Sequence, residues 1–306
     1  MMDRETPDLL WKEIIEDLFE DFVEFFMPKL YQEIDFSQGY EFLDNELANI
    51  MDKTLEGKKM ADRLVKVYLK DGRENWILIH LEVQGYYEAE FSARMFKYFY
   101  RIYDKYDKKI VALAIFTEGR KDYKPSSFDY EFHGTKLNYE YNSYKILEQE
   151  EVELLKAENP FAMVILAGLY TLKSKGKNSL RYSFKQKLFR LLLDRDYSKR
   201  KIKNIFEFLD GILFLPNDLE LRFRDDIKET IGGDEVMSKE LTNLYQVGKS
   251  EGKLEGKLEG RVEGKLEGKL EIAKKLLEKK MDINDIMEVT ELSEEQIKLI
   301  KERTQH

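Results

Sequence analysis

Two short segments constrain this chain more than any other feature: ADRLVKVYL at 61–69 and WILIHLEVQ at 76–84, with the turn signal Lys70-Asp71-Gly72-Arg73 between them. Apolar residues alternate in the first and nearly fill the second, a pattern of strands rather than helices. Alternate residues of a strand share a face. Asp62, Leu64, Lys66 and Tyr68 therefore lie opposite Ala61, Val65, Val67 and Leu69, with Arg63 out of pattern. In the second strand Trp76, Leu78, His80, Glu82 and Gln84 lie opposite Ile77, Ile79, Leu81 and Val83. Burying both apolar faces together sets the register, because a slip of one residue would turn a whole strand over. Val65 then faces Ile79, Val67 faces Ile77, and Asp62 faces Glu82. This pairing needs an odd loop, such as Asp71-Gly72-Arg73, or a bulge. A two-residue Asp-Gly turn would set Asp62 against Leu81, on the wrong face.

Directly opposed residues of a hairpin stand about 5 Å apart. Two acids placed so repel, and the pair needs a proton or a cation. Carboxylate oxygens at this spacing suit Mg²⁺ or Mn²⁺, hard ions that keep several waters and also bind phosphate oxygens. Gln84 follows on the same face, about 7 Å along the strand. Its amide can hold a water or a phosphate oxygen but cannot act as a base. The pattern alone fits equally a polar outer face on which both acids meet solvent. Two features weigh against that: ILIHLEVQ is otherwise very apolar, and Lys66, His80, Arg94 and Lys97 form a cationic surround suited to phosphate.

The rest of the chain reads as a sheet followed by helices. Residues 8–26 form an amphipathic helix, with Trp11, Ile14, Ile15, Leu18, Phe19, Phe22 and Phe26 at spacings of three and four and Pro28 beyond its end. Residues 89–106 are helical, and IVALAIF at 110–116 is a strand buried on both faces. One or two further strands lie in 128–147, and the pattern is helical from Glu150 to about Phe214. The fold class is α/β or α+β. The aromatic density at 86–103 reads as helix core rather than as a base-stacking platform, and His133, beside a glycine, reads as a turn or core histidine.

Charge is uneven. The whole chain carries −9, which taken alone argues against a nucleic-acid partner, but residues 171–204 hold 12 Lys/Arg against 2 Asp. A local basic stripe is the footprint that matters for a polyanion. Leu180, Phe184, Leu188, Leu191 and Leu192 have helical spacing there, so an apolar stripe faces inward and a basic face outward. The chain has no cysteine, which excludes disulfides and thiolate zinc sites. The acidic N-terminus is no signal peptide, and the longest apolar run, Pro160 to Tyr170, is too short to span a bilayer. A soluble cytoplasmic protein is expected.

Residues 248–271 are low-complexity, with glycine at 248, 252, 256, 260, 264 and 268. Six glycines cost a helix roughly 5 kcal/mol relative to alanine. The segment is a charged spacer, or its glycine stripe lets chains pack in a homo-oligomer built through 248–306. Residues 272–306 form a small helical tail, loosely like a helix-turn-helix, whose last short helix opens on the capping box Ser293-Glu294-Glu295-Gln296. EEQIKLIKER is too weakly basic to claim DNA reading from the sequence. The expected organisation is thus a core at 1–150, a partly basic helical extension at 151–247, the glycine-periodic segment at 248–271 and the tail at 272–306.

KKMADRLVKVYLKDGRENWILIHLEVQGY resembles the core of the Rpn family of recombination-promoting nucleases, also called YhgA-like putative transposases. In that family an Asp begins one strand, a DG turn follows, and E-x-Q closes the next. The likeness extends through IVALAIFTEGR and ENPFAMVILAG into the glycine-periodic tail. The wider superfamily is the restriction-endonuclease-like PD-(D/E)XK nucleases, which implies a mixed sheet flanked by helices. The resemblance implies Asp62, Glu82 and Val83 as metal ligands, with Gln84 where lysine is usual. Lys66, on the same face, is the candidate substitute for that lysine. The superfamily often adds a Glu from the first helix, and Glu13, Glu16, Glu20 and Glu24 all remain open for that role. Arg94, Lys97, Arg181, Lys185, Lys199 and Arg200 are the candidate DNA and phosphate contacts. The expected activity is Mg²⁺- or Mn²⁺-dependent DNA endonuclease cleavage, tied to recombination or mobile elements. The rivals are a DNA-binding recombination accessory protein without turnover and an oligomeric assembly module.

Overall fold

The computed structural model describes residues 6–45, 47, 62–70, 77–231 and 277. The turn residues 71–73, Trp76, the segment 248–271 and, save residue 277, the tail lie outside them. Residues 5–233 form one compact unit. Its elements run α1 (Pro7–Asp17), α2 (Phe19–Phe26), α3 (Pro28–Glu33), β1 (Tyr40–Phe42), β2 (Arg63–Val67), β3 (Ile77–Gln84), α4 (Phe91–Tyr106) and β4 (Ile110–Phe116). After these come β5 (Ser127–Phe132), β6 (Thr135–Glu140), β7 (Asn142–Lys145), α5 (Glu151–Lys156), α6 (Phe161–Lys173), α7 (Asn178–Leu193), α8 (Lys199–Ile212) and α9 (Asn217–Ile231).

The main sheet has strand order β1-β2-β3-β4-β7. β1, β2 and β3 pair antiparallel, and β4 and β7 join parallel to β3. A parallel neighbour requires a crossover, and α4 supplies the one between β3 and β4. Val65 faces Ile79 and Val67 faces Ile77, as the burial pattern requires, and one further step in that register brings Asp62 opposite Glu82. Every residue of β3 is buried, because the strand is central and covered on both faces.

The two coverings differ. Leu64 and Leu78 pack with Tyr98 and Ile102 of α4, and Ala112, Ala114 and Phe116 pack with its Phe91 and Met95. On the opposite face Phe25 and Phe26 of α2 meet Tyr144 of β7 with centroids 6.1 and 4.8 Å apart. The sheet is therefore mixed and flanked by helices.

The single helix expected over 8–26 is broken at Leu18 (φ −120°, ψ 34°), although backbone bonds to Ile14 and from Phe22 carry the chain across. The bend lets α1 set Trp11 edge-on to Phe208 at 5.1 Å while α2 sets Phe22 against Phe161 at 5.0 Å. A straight helix would have to choose between those partners. The strands expected in 128–147 divide as well. β5 and β6 form a separate hairpin, and β7 returns to the main sheet. His133 (φ 46°) and Gly134 (φ 88°) make the tight turn of that hairpin, where two consecutive positive φ values are needed. Phe128 stacks on Phe96 of α4 at 5.0 Å, and Tyr139 lies 4.7 Å from Phe99.

α6 is apolar all round because it is enclosed: its residues Phe161 to Tyr170 are all buried. Gly168 permits its closest approach. A Cβ there would stand 3.0 Å from Ile146 and 3.3 Å from the Trp11 ring. Gly168→Val is expected to destabilise the protein by about 1–3 kcal/mol through overpacking, measured as a lower denaturant midpoint at unchanged m-value.

Candidate functional site

β3 delivers three polar side chains to the α4 face: His80 and Glu82, which are fully buried, and Gln84, which is almost so. They sit among Leu78, Leu64 and Ala114, so each needs an internal partner. α4 provides it. Its buried stripe of Phe91, Met95, Tyr98 and Ile102 is interrupted by one charge, Arg94. Arg94 Nη1 donates to Glu82 Oε1 at 2.8 Å, and Nη2 donates to Gln84 Oε1 at 3.0 Å and to Glu88 Oε2 at 3.1 Å. One turn on, the Tyr98 hydroxyl donates to Asp62 Oδ2 at 2.7 Å.

Each acid keeps one buried oxygen to which no described residue donates: Asp62 Oδ1 and Glu82 Oε2. The two carboxyls can satisfy each other only by sharing a proton. Burial, and then the Asp62 charge, raise the Glu82 pKa well above the usual carboxylate range, with Arg94 opposing. Burial works against the Arg94 charge too, but Glu82, Asp62 and Glu88 outweigh it and hold the guanidinium pKa above its ordinary value. Burial and the same two acids push the Tyr98 hydroxyl up, so it stays a donor.

His80 is not part of a cationic surround, as its sequence position suggested. Burial lowers its pKa to about 4, Arg94 adding to the effect and Asp62 opposing it. Its ring lies tilted against Tyr98 with centroids 4.9 Å apart, and neither nitrogen has a hydrogen-bond partner among the described residues.

The orphaned oxygens of Asp62 and Glu82 fit a hard divalent cation. Among the described residues, however, no three His, Asp or Glu side chains are grouped as a metal site. A cation held here would draw its remaining donors from water and phosphate, as Mg²⁺ commonly does. Val83 lies between Glu82 and Gln84, opposite Ile115, and can offer only its main-chain carbonyl. An acid that sequence reasoning missed stands close by. Asp8, in the first turn of α1, has its pKa raised by burial and then by the Asp62 charge. A Cβ on Gly85, just past β3, would lie 4.0 Å from its Oδ1. Of the first-helix acids expected, Glu16 instead accepts from Arg63 at 2.8 Å and Glu24 from Asn159 at 2.8 Å. Nothing in the spacing of α1 singled out Asp8, whereas the charge in the apolar stripe of α4 was a visible signal for Arg94.

Other expectations need correction. The Gln84 amide is occupied within the protein, donating to Tyr86 O at 2.8 Å while its oxygen accepts from Arg94. Lys66 lies opposite Leu78, with Glu41 of β1 at 3.9 Å. It lies four positions on from Asp62, about 13 Å along the strand, too far to replace a lysine at position 84. Arg181 donates to Ser174 Oγ at 3.2 Å and to the Phe214 carbonyl at 3.3 Å. Lys185 is 1 % exposed, with Asp210 at 2.5 Å and Glu220 at 3.1 Å. Both tie helices together rather than face DNA. The inward face of α7 is Tyr182, Lys185, Leu188, Phe189 and Leu192, so the basic stripe is partly internal. Lys97, Lys199 and Arg200 are exposed.

Residues 266–302 match the family model for the C-terminal HTH domain of the Rpn/YhgA-like nuclease family. The match supports Rpn family membership, a nuclease- or recombination-related role and DNA as a partner. It falls where the sequence suggested a helix-turn-helix without the basic residues to claim DNA reading. No curated protein and no solved structure matches the chain. Among the described residues, no helix is long and apolar enough to cross a membrane.

His80 gives this region a pH signature. Its folded pKa lies below the unfolded value near 6.5, so its contribution to stability is present above pH 6.5 and is lost as pH falls towards 4. Over that window wild type is expected to lose about 3 kcal/mol more stability than His80→Phe, read from urea unfolding at stepped pH.

Proposed function

We propose that this protein is a divalent-metal-dependent DNA endonuclease of the PD-(D/E)XK type, hydrolysing phosphodiester bonds in the cytoplasm during recombination or mobile-element movement. The observation that carries the reading is the buried pair Asp62 and Glu82, each with one oxygen lacking a donor among the described residues. The match of 266–302 to the HTH domain of a nuclease family supports it from a separate part of the chain.

Asp62 and Glu82 would hold Mg²⁺ or Mn²⁺, with the Val83 carbonyl and Asp8 as further candidate donors. The bound ion would supply Lewis-acid polarisation of the phosphate and a lowered pKa for the attacking water. The protein's own groups have separate tasks. Tyr98 orients Asp62 through its hydroxyl, and Gln84 and Glu88 hold the Arg94 fork at the acids. Arg94 presents a planar cation suited to a phosphate. Burial of β3 excludes bulk water from one side of the reacting group. Lys97, Lys199 and Arg200, all exposed, are left as backbone contacts with little sequence preference.

A second reading rests on a specific observation. The Gln84 amide is bound internally and Lys66 is remote, so neither candidate for the usual lysine is placed to activate water. That favours a DNA-binding accessory protein that has lost turnover.

Supercoiled plasmid distinguishes the two. Wild type with Mg²⁺ or Mn²⁺ is expected to yield open-circle or linear DNA, EDTA to stop it, and Glu82→Ala to lower the rate by at least about 100-fold, since even groups that merely orient metal ligands are worth 10–100-fold. Equal cutting by Glu82→Ala removes the assignment. Salt-sensitive DNA binding in EDTA with no cutting by any sample selects the accessory protein.

A further inference from the structure

Arg94 stands where a second cation would have to act. Its Nη1 is 2.8 Å from Glu82 Oε1, so the guanidinium is already the counter-ion of the buried acid. A divalent ion placed beside it at low dielectric would meet a like charge as well as an occupied carboxylate.

The fork has an inner and an outer side. Its outer nitrogen meets Glu88, whose side chain is 21 % exposed, while its inner nitrogen meets Glu82, which has no exposed surface. Glu88 thus marks the solvent side of the guanidinium. Arg94 Nε is buried and has no acceptor among the described residues. A buried donor left unpaired costs about 1–3 kcal/mol, and an anionic oxygen arriving at this edge would satisfy it. Gln84 fits the same scheme. Its oxygen accepts from Arg94 at 3.0 Å, whereas a lysine at that position would add a second cation and offer no acceptor.

We propose that Arg94 gates cation entry: without DNA its guanidinium neutralises Glu82, and a backbone phosphate that takes over the guanidinium frees the carboxylate, so that DNA and the divalent cation bind cooperatively. The inference rests on the metal-site reading of Asp62 and Glu82 and adds to it the order and coupling of binding. Coupling is reciprocal, so the cation must strengthen DNA binding by the same factor. It also makes Arg94 a positioning residue in the free protein and a phosphate contact in the complex.

Mn²⁺ titration followed by electron paramagnetic resonance tests this without turnover. The full-length protein is titrated with and without a non-hydrolysable phosphorothioate duplex, and Glu82→Gln sets the background. The duplex is expected to tighten Mn²⁺ binding by wild type at least fivefold, within the usual range of about 5–150-fold for site–site coupling. Arg94→Ala is expected to bind Mn²⁺ at least about fivefold tighter than wild type without DNA and to gain less from the duplex than wild type does, the lost repulsion replacing that part of the coupling. Arg94→Gln, which keeps hydrogen-bonding capacity without the charge, is the parallel variant should Arg94→Ala misfold by circular dichroism. Equal Mn²⁺ affinity in wild type and variants, or an affinity in wild type that ignores the duplex, overturns the gate and leaves the metal site standing. Binding no better than Glu82→Gln in every sample overturns the metal site and the gate together.

Discussion

A carboxyl group with no exposed surface must be neutralised, and in this fold the guanidinium of Arg94 and the acid's own raised proton affinity share that task. Two carboxylates, one amide and one buried arginine form a single network across the β3–α4 interface. Isolated, any one of these groups would destabilise the core, because a buried ion without a partner costs several kcal/mol. Together they oblige α4 to lie at one height over the sheet, with Arg94 above Glu82 and Tyr98 above Asp62. The crossover helix is thus positioned by polar chemistry at one end and by apolar packing of Phe91, Met95 and Ile102 along its length.

The same network has an electrostatic consequence. The Arg94 charge offsets part of the cost of burying Glu82 beside Asp62. His80 stays uncharged between them because burial outweighs the pull of Asp62.

Away from the sheet, the basic segment shows how far net charge can mislead. Residues 171–204 carry a large positive excess, yet two of the residues chosen there as DNA contacts serve the interior. Arg181 ties the end of α6 to the α8–α9 connection, and Lys185 joins α7 to Asp210 and Glu220. The long stems of Lys and Arg let their charges reach partners on neighbouring elements. Sequence spacing alone does not say whether that partner is protein or phosphate.

What the sequence by itself determined was local and periodic. The alternation in 61–69 against 76–84 dictated the β2–β3 register and so the meeting of Asp62 with Glu82, because a misfaced strand is too costly to exist. The unbroken apolar run at 110–116 dictated a central strand, whereas the glycine after His133 left that histidine either a turn or a core residue. Only the tertiary structure decided which cations reach the acids. Arg94 does so from a helix packed across β3, Lys66 is held off along its own strand, and Asp8 arrives at the end of β3 from a helix far earlier in the chain. Those choices depend on crossing angles and on where helices end, which follow from how whole faces pack. The break at Leu18 belongs to the same class, since two aromatic partners on different helices impose it and no residue in 8–26 announces it.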